Sequence, residues 1–248
     1  MVNVLILGGS GKVARCLTPL LVKKSHTVHS IIRKPEQSDD IKQLGAKPIV
    51  QSIEDISSSQ LAKTITESKA EVVIWSAGAG GGNPERTKSV DHEGAVKSFD
   101  ACAEAGVKRF IIVSAIDVRD KSKPVPEWYN DNDKERSEKV WQFIGKYMEA
   151  KLAADKDLVT SNSRRNLDYT IVRPGGLTDD PGKGTVAAGK VHLGESISRE
   201  DVAATIVAVM EEPKTVGMAI DVVGGDTPIK EAIQKVVEEK ADAFEGHY

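Results

Sequence analysis

The N-terminal segment constrains the chain most. Val2–Leu7 (VNVLIL) is an apolar run of strand length, and it passes directly into GGSGKVA at residues 8–14. Lys12–Lys24 then places Val13, Leu17, Leu20 and Leu21 on one helical face. A strand, a glycine turn and a helix in that order form an anion-binding unit. Gly8 permits the tight turn, Gly11 lets a diphosphate approach the backbone, and Ala14 is small enough for the helix to lie against the sheet. The free N–H groups at the helix start then face the phosphates. The spacing Gly8-x-x-Gly11-x-x-Ala14 differs from the commoner G-x-G-x-x-G form, but the strand and helix around it are what the motif needs. Gly8, Ser10, Gly11, Lys12 and Val13 are the candidate diphosphate contacts.

The same alternation continues. Thr27–Ile32, Lys47–Val50, Glu71–Ser76, Arg109–Ser114, Tyr169–Val172 and Met218–Val223 read as strands. Val90–Ala105 is amphipathic and stops at Gly106. Residues 139–160 carry a stripe of Val140, Phe143, Ile144, Tyr147 and Met148, and Asp201 caps a helix running to Met210. Thr227 and Pro228 open a last helix, and the tail after Lys240 is expected to fray. Near-continuous apolar strands alternating with helices predict an α/β fold: a Rossmann doubly wound parallel sheet with helices on both faces. With 248 residues and no repeat or linker, the simplest organisation is one domain over 1–248. Residues 175–200, Gly-rich and weakly patterned, form a small C-terminal substrate-side lobe over the cleft. The polar stretch 117–138, with Trp128 and Tyr129, reads as a long loop whose rings either cover a substrate or pin the loop to the body.

Charge narrows the partners. The 34 Lys plus Arg are spread among 37 Asp plus Glu for a formal net charge of −3. That balance does not suggest nucleic acid or an anionic membrane surface. The N-terminal apolar run is short and lacks a basic leader, so it is read as a strand and not a signal peptide. No window reaches membrane-span length. Cys16 and Cys102 sit in apolar helical patterns and read as reduced thiols, and no residue cluster has metal-ligand spacing. These features predict a cytoplasmic protein with a small-molecule partner.

The second strand ends at Arg33 and Lys34 without the carboxylate that would take the two ribose hydroxyls of NAD(H). Arg33 offers a guanidinium to a ribose 2′-phosphate, so NADP(H) is preferred and NAD(H) is the alternative. Asp55 after the third strand, and Ser76–Gly80 (with Ala77 and Gly78) in the loop AGAGGGNP after the fourth, would line the adenosine side. Tyr147 and Lys151 stand four apart and share a helix face. A tyrosine can donate a proton to a carbonyl when an ammonium stabilises its phenolate. Ser114 ends the fifth strand at the carboxyl edge of the sheet, where its hydroxyl could orient that carbonyl. The alternative is a packing tyrosine and a surface lysine.

Several segments together resemble the short-chain dehydrogenase/reductase superfamily, and closely its atypical NAD(P)-binding branch of NmrA-like and biliverdin reductase B-like proteins. They are GGSGKVA, SAGAG at 76–80, RFIIVSA at 109–115, YMEAK at 147–151, LDYTIVRPGGL at 167–177 and REDVA at 199–203. The resemblance spans essentially the whole chain. It implies dinucleotide binding, with Ser114, Tyr147 and Lys151 as the catalytic set. Lys151 would also hold the nicotinamide ribose. Pro174 would shape the loop beneath the nicotinamide, and Gly175 would admit the backbone beside it. Asp91 and His92 lie near where a relay asparagine often stands, and His192 lies in the Gly-rich lobe. The pocket wall is expected from Ile116, Trp128, Tyr129 and Leu177–Leu193. Three functions follow: a reductase of carbonyl, quinone or flavin-like compounds, a redox sensor that binds without turnover, or an epimerase or dehydratase that uses its nicotinamide transiently. The helix bearing Tyr147 has a charged outer face (Lys139, Lys146, Glu149, Asp155, Lys156), which favours a monomer or weak dimer.

Overall fold

Strands that are apolar on both sides decide the architecture. In the first strand Val4 and Ile6 join one core cluster, while Leu5 and Leu7 join the other. Two dry faces require helices on both. The computed structural model describes residues 1–80 and 83–248 and has this arrangement. Gly81 and Gly82 of the loop at 77–84 lie outside the described residues.

The strands are β1 (Asn3–Leu7), β2 (Thr27–Ile32), β3 (Lys47–Val50), β4 (Val72–Trp75), β5 (Arg109–Val113), β6 (Asp168–Pro174), β7 (Gly176–Thr178), β8 (Thr185–Gly189), β9 (Ser196–Ser198), β10 (Ala219–Gly224) and β11 (Thr227–Pro228). The helices are α1 (Lys12–Lys23), α2 (Ser38–Gln43), α3 (Ser58–Glu67), α4 (Pro84–Thr87), α5 (Ala95–Ala105), α6 (Asp131–Thr160), α7 (Arg199–Glu211) and α8 (Ile229–Glu239). Among the described residues the main sheet has nine strands in the order β3-β2-β1-β4-β5-β6-β10-β8-β11. Neighbours from β3 through β10 run parallel, whereas β8 is antiparallel to both β10 and β11. The order reverses between β1 and β4, and that switch point opens a crevice at the carboxyl ends of the strands. One core lies between the sheet and α1, α7 and α8. The other lies against α3, α5 and α6 and contains the edge-to-face pair Phe99 and Phe110.

Four features depart from the sequence expectations. Residues 185–189 are not loose lobe but a strand of the main sheet, with Val186 fully buried. β7 and β9 form a separate parallel pair. The long middle helix begins at Asp131, eight residues earlier than its apolar pattern, because Asn130 and Asp133 cap each other reciprocally. That helix is also broken at Ile144 (φ −125°, ψ 26°), next to Gly145. The first part of the expected stripe therefore does not face the core: Phe143 is 87% and Ile144 46% exposed, whereas Met148 at its end is buried and burial continues through Lys151, Ala154, Asp155 and Leu158. Asp155 is accordingly interior, not part of the charged outer face. Finally, the C-terminal tail does not fray. Ala241, Ala243 and Phe244 are buried, and the Ala243 N–H donates to Ala219 O.

Candidate dinucleotide cleft and active site

Register places the glycine loop. Leu7 pairs with Trp75, so the residues after β1 and β4 run side by side, and Ser76 N–H donates to Leu7 O. Gly8 has φ +84°, and a Cβ there would lie 2.6 Å from Ala77 Cα. Both the turn and the neighbouring loop thus demand glycine. Gly11 caps α1 without a side-chain hydrogen bond, and the first turn holds no acidic residue. The orphan N–H groups of that turn open into the cleft, lined there by Ser10, Gly11, Lys12 and Val13. A bare, acid-free helix start of this kind fits a diphosphate. Lys12 at that helix start and Arg199 both pair with Asp179, at 2.6 and 2.7 Å.

The Ser76–Gly80 segment, with Ala77 and Gly78, divides the cleft in two. The larger hollow, about 940 Å³, holds Ser114, Tyr147, Lys151 and Pro174 at the carboxyl edge of β5 and β6. The smaller, about 240 Å³, lies between β2 and the end of β3 and holds Arg33. Asp55 is exposed and lies outside both linings, and Glu54 takes its place on the wall. Arg86 of α4 faces Glu54 from the far side. Gly175 also stays out of the cleft lining. Its N–H is committed to Val222 O, and a Cβ there would press on Glu195 O at 2.8 Å, so its small size serves packing behind the cleft.

Lys151 is buried one turn from Tyr147. Its Nζ lies 3.2 Å from Asp91 Oδ1, donates to Val113 O at 3.1 Å and stands 5.7 Å above the Tyr147 ring. Asp91 is fully buried, and its other oxygen accepts from the Ala79 N–H. One carboxylate therefore ties the dividing loop to the lysine. Asp91 reaches inward from a π-helical turn, Lys88–Gly94, which interrupts the helix expected over 90–105. Such turns recur at functional sites. His92, its neighbour, is only half-buried. Burial opposes the charge on Lys151, but Tyr147, Asp91 and Asp155 together outweigh it and hold its pKa above the ordinary lysine value. Burial raises the Tyr147 phenol against the pull of Lys151, so the tyrosine is neutral at neutral pH.

Ser114 is placed differently from the expectation of a serine presented to substrate. It is buried, and its hydroxyl donates to Asp155 Oδ2 at 2.5 Å. Tyr147, Lys151 and Asp155 stand at successive turns of α6, so Asp155 was legible as the next residue on that face. Burial pushes Asp155 up to about 6, against the Ser114 hydrogen bond and the charges of Arg173 and Lys151. While Asp155 is ionised, the serine proton points away from the cleft.

The mouth of the larger hollow is apolar. Trp141, Phe143 and Ile144 flank the break in α6, with Leu177 nearby. Of the walls expected from sequence, Leu177 is in place, but residues 178–193 and Ile116, Trp128 and Tyr129 are not in the lining. Trp128 instead packs edge-on to Tyr129 and His247, and the Tyr129 hydroxyl is 3.2 Å from Asp117, so these rings pin the loop to the C-terminal segment. His192 docks the lobe onto the start of α6, 2.6 Å from Asp133. Among the described residues no helix is long and apolar enough to cross a membrane.

A family model described as NAD(P)H-binding matches residues 8–213, from the first loop glycine to beyond α7. The chain belongs to the NAD(P)H-binding family. It is a member of the NAD(P)-binding Rossmann-fold superfamily of oxidoreductases and epimerases. A UPF0659 protein of Schizosaccharomyces pombe is 41% identical over 229 residues, 92% of each chain. YhfK of Bacillus subtilis, described as an uncharacterized sugar epimerase, is 35% identical over 94% of this chain and 100% of its own. The crystal structure of the oxidoreductase ylbE from Lactococcus lactis superposes with a TM-score of 0.76 at 27% identity, over 95% of this chain and 97% of that one.

Proposed function

We propose that this family member is an NADP(H)-dependent reductase of a carbonyl, quinone or flavin-like small molecule. The observation that carries the reading is the convergence of Tyr147, Lys151 and the glycine-loop helix start on one cleft at the carboxyl edge of the sheet. Gly8, Ser10, Gly11, Lys12 and Val13 would hold the diphosphate, Ala77 and Gly78 the span between the two halves, and Lys151 and Pro174 the nicotinamide end. When bound, the dinucleotide supplies a hydride equivalent. Tyr147 gives its phenolic proton to the substrate oxygen, converting C=O to CH–OH once hydride has reached the carbon. Lys151 then stabilises the phenolate left behind and would hold the cofactor ribose, while Asp91 fixes the ammonium beside the tyrosine. The exposed Phe143, Ile144 and Leu177 suit an apolar, planar substrate face.

A second reading, an NAD(P)-binding redox sensor without turnover, has one observation in its favour: the Ser114 hydroxyl is held by Asp155. Fluorescence titration with NADPH and with NADH, before and after Arg33→Ala, tests the cofactor assignment. Tighter NADPH binding that the variant loses is expected, at about tenfold for one charge-assisted phosphate contact. Equal or tighter NADH binding by the native protein would reject NADP(H). A bound dinucleotide with no oxidation across carbonyl, quinone and flavin panels would favour the sensor. A cytoplasmic monomer or weak dimer is the form in which we expect the protein to act.

A further inference from the structure

The polarity of the Ser114 hydroxyl is fixed from behind the cleft. The backbone there is pinned: the Ser114 N–H donates to Val172 O at 2.8 Å, and Arg173 Nε donates to Ala115 O at 3.3 Å. The hydroxyl hydrogen is committed to Asp155 Oδ2. Asp155 is fully buried, and its other oxygen has no hydrogen-bond partner among the described residues. Arg173 and Lys151 favour its charged form, and a carboxyl pushed up only to about 6 is mostly ionised at neutral pH. An ionised carboxylate can only accept, so the serine is the donor of this bond. Ser114 nevertheless lines the larger hollow together with Tyr147. What it offers there is oxygen lone pairs. A serine that orients a carbonyl has to donate to it, and this hydroxyl has no second proton to give.

We infer that Tyr147 and Ser114 read the substrate as a donor and an acceptor, and that the site takes a carbonyl compound with an O–H or N–H group next to the carbonyl. This rests on the reductase reading and narrows its substrate class to compounds such as α-hydroxy ketones and aminoquinones. The Tyr147 hydroxyl donates to the carbonyl oxygen, and Ser114 Oγ accepts from the neighbouring group. Reduction adds hydride from the reduced dinucleotide to the carbonyl carbon and the Tyr147 proton to its oxygen. The neighbouring O–H or N–H keeps its proton throughout. A hydroxyl that donates to an anion is also the stronger acceptor, so Asp155 reinforces the contact from behind. A plain ketone or quinone leaves the Ser114 lone pairs without a partner once water is expelled, and an unmade hydrogen bond in a closed site costs affinity. Discrimination of this kind comes from a polar group left unpaired by the wrong ligand.

The test compares matched ligands in the native chain saturated with oxidised dinucleotide, which cannot give hydride, so calorimetry reads binding alone. One set is α-hydroxyacetophenone, its O-methyl ether and acetophenone; the other is a primary aminonaphthoquinone, its N,N-dimethyl derivative and the parent naphthoquinone. The member with the O–H or N–H is expected to bind about tenfold tighter than both of its relatives, the size of one well-placed hydrogen bond. The unsubstituted compounds show that the loss is not a steric effect of the added methyl groups. Ser114→Ala is expected to bring the members of each set within about twofold of one another. Asp155→Asn, whose amide nitrogen can donate to Ser114 Oγ, is expected to shrink the preference as well. Thermal melts establish that both variants are folded, and the native comparison needs neither. Equal affinities in the native chain, or tighter binding of the ether or the plain ketone, would show that Ser114 donates to the ligand and would overturn the inference. A preference that survives Ser114→Ala would assign it to another acceptor and overturn it too, as would failure of every ligand to bind. Turnover with NADPH is measured separately. A Ser114-dependent preference without turnover would remove the reductase reading and leave the donor–acceptor pairing in place, whereas turnover of plain and donor-bearing carbonyls with equal KM would do the reverse.

Discussion

Tyr147→Phe is expected to reduce turnover by a factor of roughly 10²–10⁴, the usual contribution of a positioned general acid, while NADPH binds as in the native chain. The substitution removes one oxygen and keeps the ring over Lys151, so packing and the Lys151–Asp91 pair survive. Steady-state kinetics with any substrate found in the panels, together with a dinucleotide titration, separates chemistry from binding. A variant that retains native kcat would show that the proton comes from elsewhere, and solvent or Ser114 would be next to examine. The phenol is raised by burial, so the native rate of reduction should hold through neutral pH and decline only on the alkaline side, where the proton is lost.

Arg173→Met is expected to destabilise the protein by about 3–5 kcal/mol, the usual cost of removing one partner of a buried, hydrogen-bonded ion pair. Arg173 is 1% exposed, donates to Val118 O at 2.9 Å and Ala243 O at 3.3 Å, and covers the Phe244 ring at 5.1 Å. Its Nε is 3.0 Å from Asp221 Oδ1, yet neither Asp221 oxygen receives a well-aligned hydrogen bond. Burial therefore prevails over the ion pair and pushes Asp221 up to about 7. For a chain of this size the loss corresponds to a fall in Tm of roughly 6–20 °C. A change under 1 kcal/mol would show that the tail and β10 do not depend on Arg173.

The same pair predicts a pH dependence of stability. The folded-state pKa of Asp221 lies above its ordinary value, so the folded state holds a proton that the unfolded chain releases. Its contribution is complete below the unfolded pKa and disappears as pH rises through about 7. Between pH 5 and 6 the native chain should lose stability relative to Asp221→Asn at up to about 1.4 kcal/mol per pH unit. Denaturant melts of both chains across this range measure that difference, and parallel curves would contradict the raised pKa.

The adjoining elements explain what could be read in advance. The parallel sheet and the glycine turn were legible because they depend on local order: an apolar strand, a glycine, then an amphipathic helix. Tyr147 and Lys151 were legible because helical spacing alone puts them on one face. The middle helix was harder. Its apolar residues Phe143 and Ile144 resembled a buried stripe, but its first turns were set by the Asn130–Asp133 cap and its path by the break beside Gly145. Trp128 and Tyr129 offered no means of choosing between a substrate cover and a brace, because the choice depended on where His247 and Asp117 lay.

The sequence by itself determined the fold class, the position of the dinucleotide turn and the tyrosine–lysine pair, because hydrophobic period and glycine placement act over a few residues. Only the tertiary structure decided where the charges go. It brought Asp91 to Lys151, turned Ser114 toward Asp155, replaced Asp55 by Glu54 on the cleft wall and set Arg86 opposite Arg33. The pairings of Asp91 with Lys151, Ser114 with Asp155 and Glu54 with Arg33 and Arg86 each join residues from separate elements. Whether a charged side chain is buried, paired or left facing a ligand depends on its surroundings after the sheet has closed, and no local pattern carries that information.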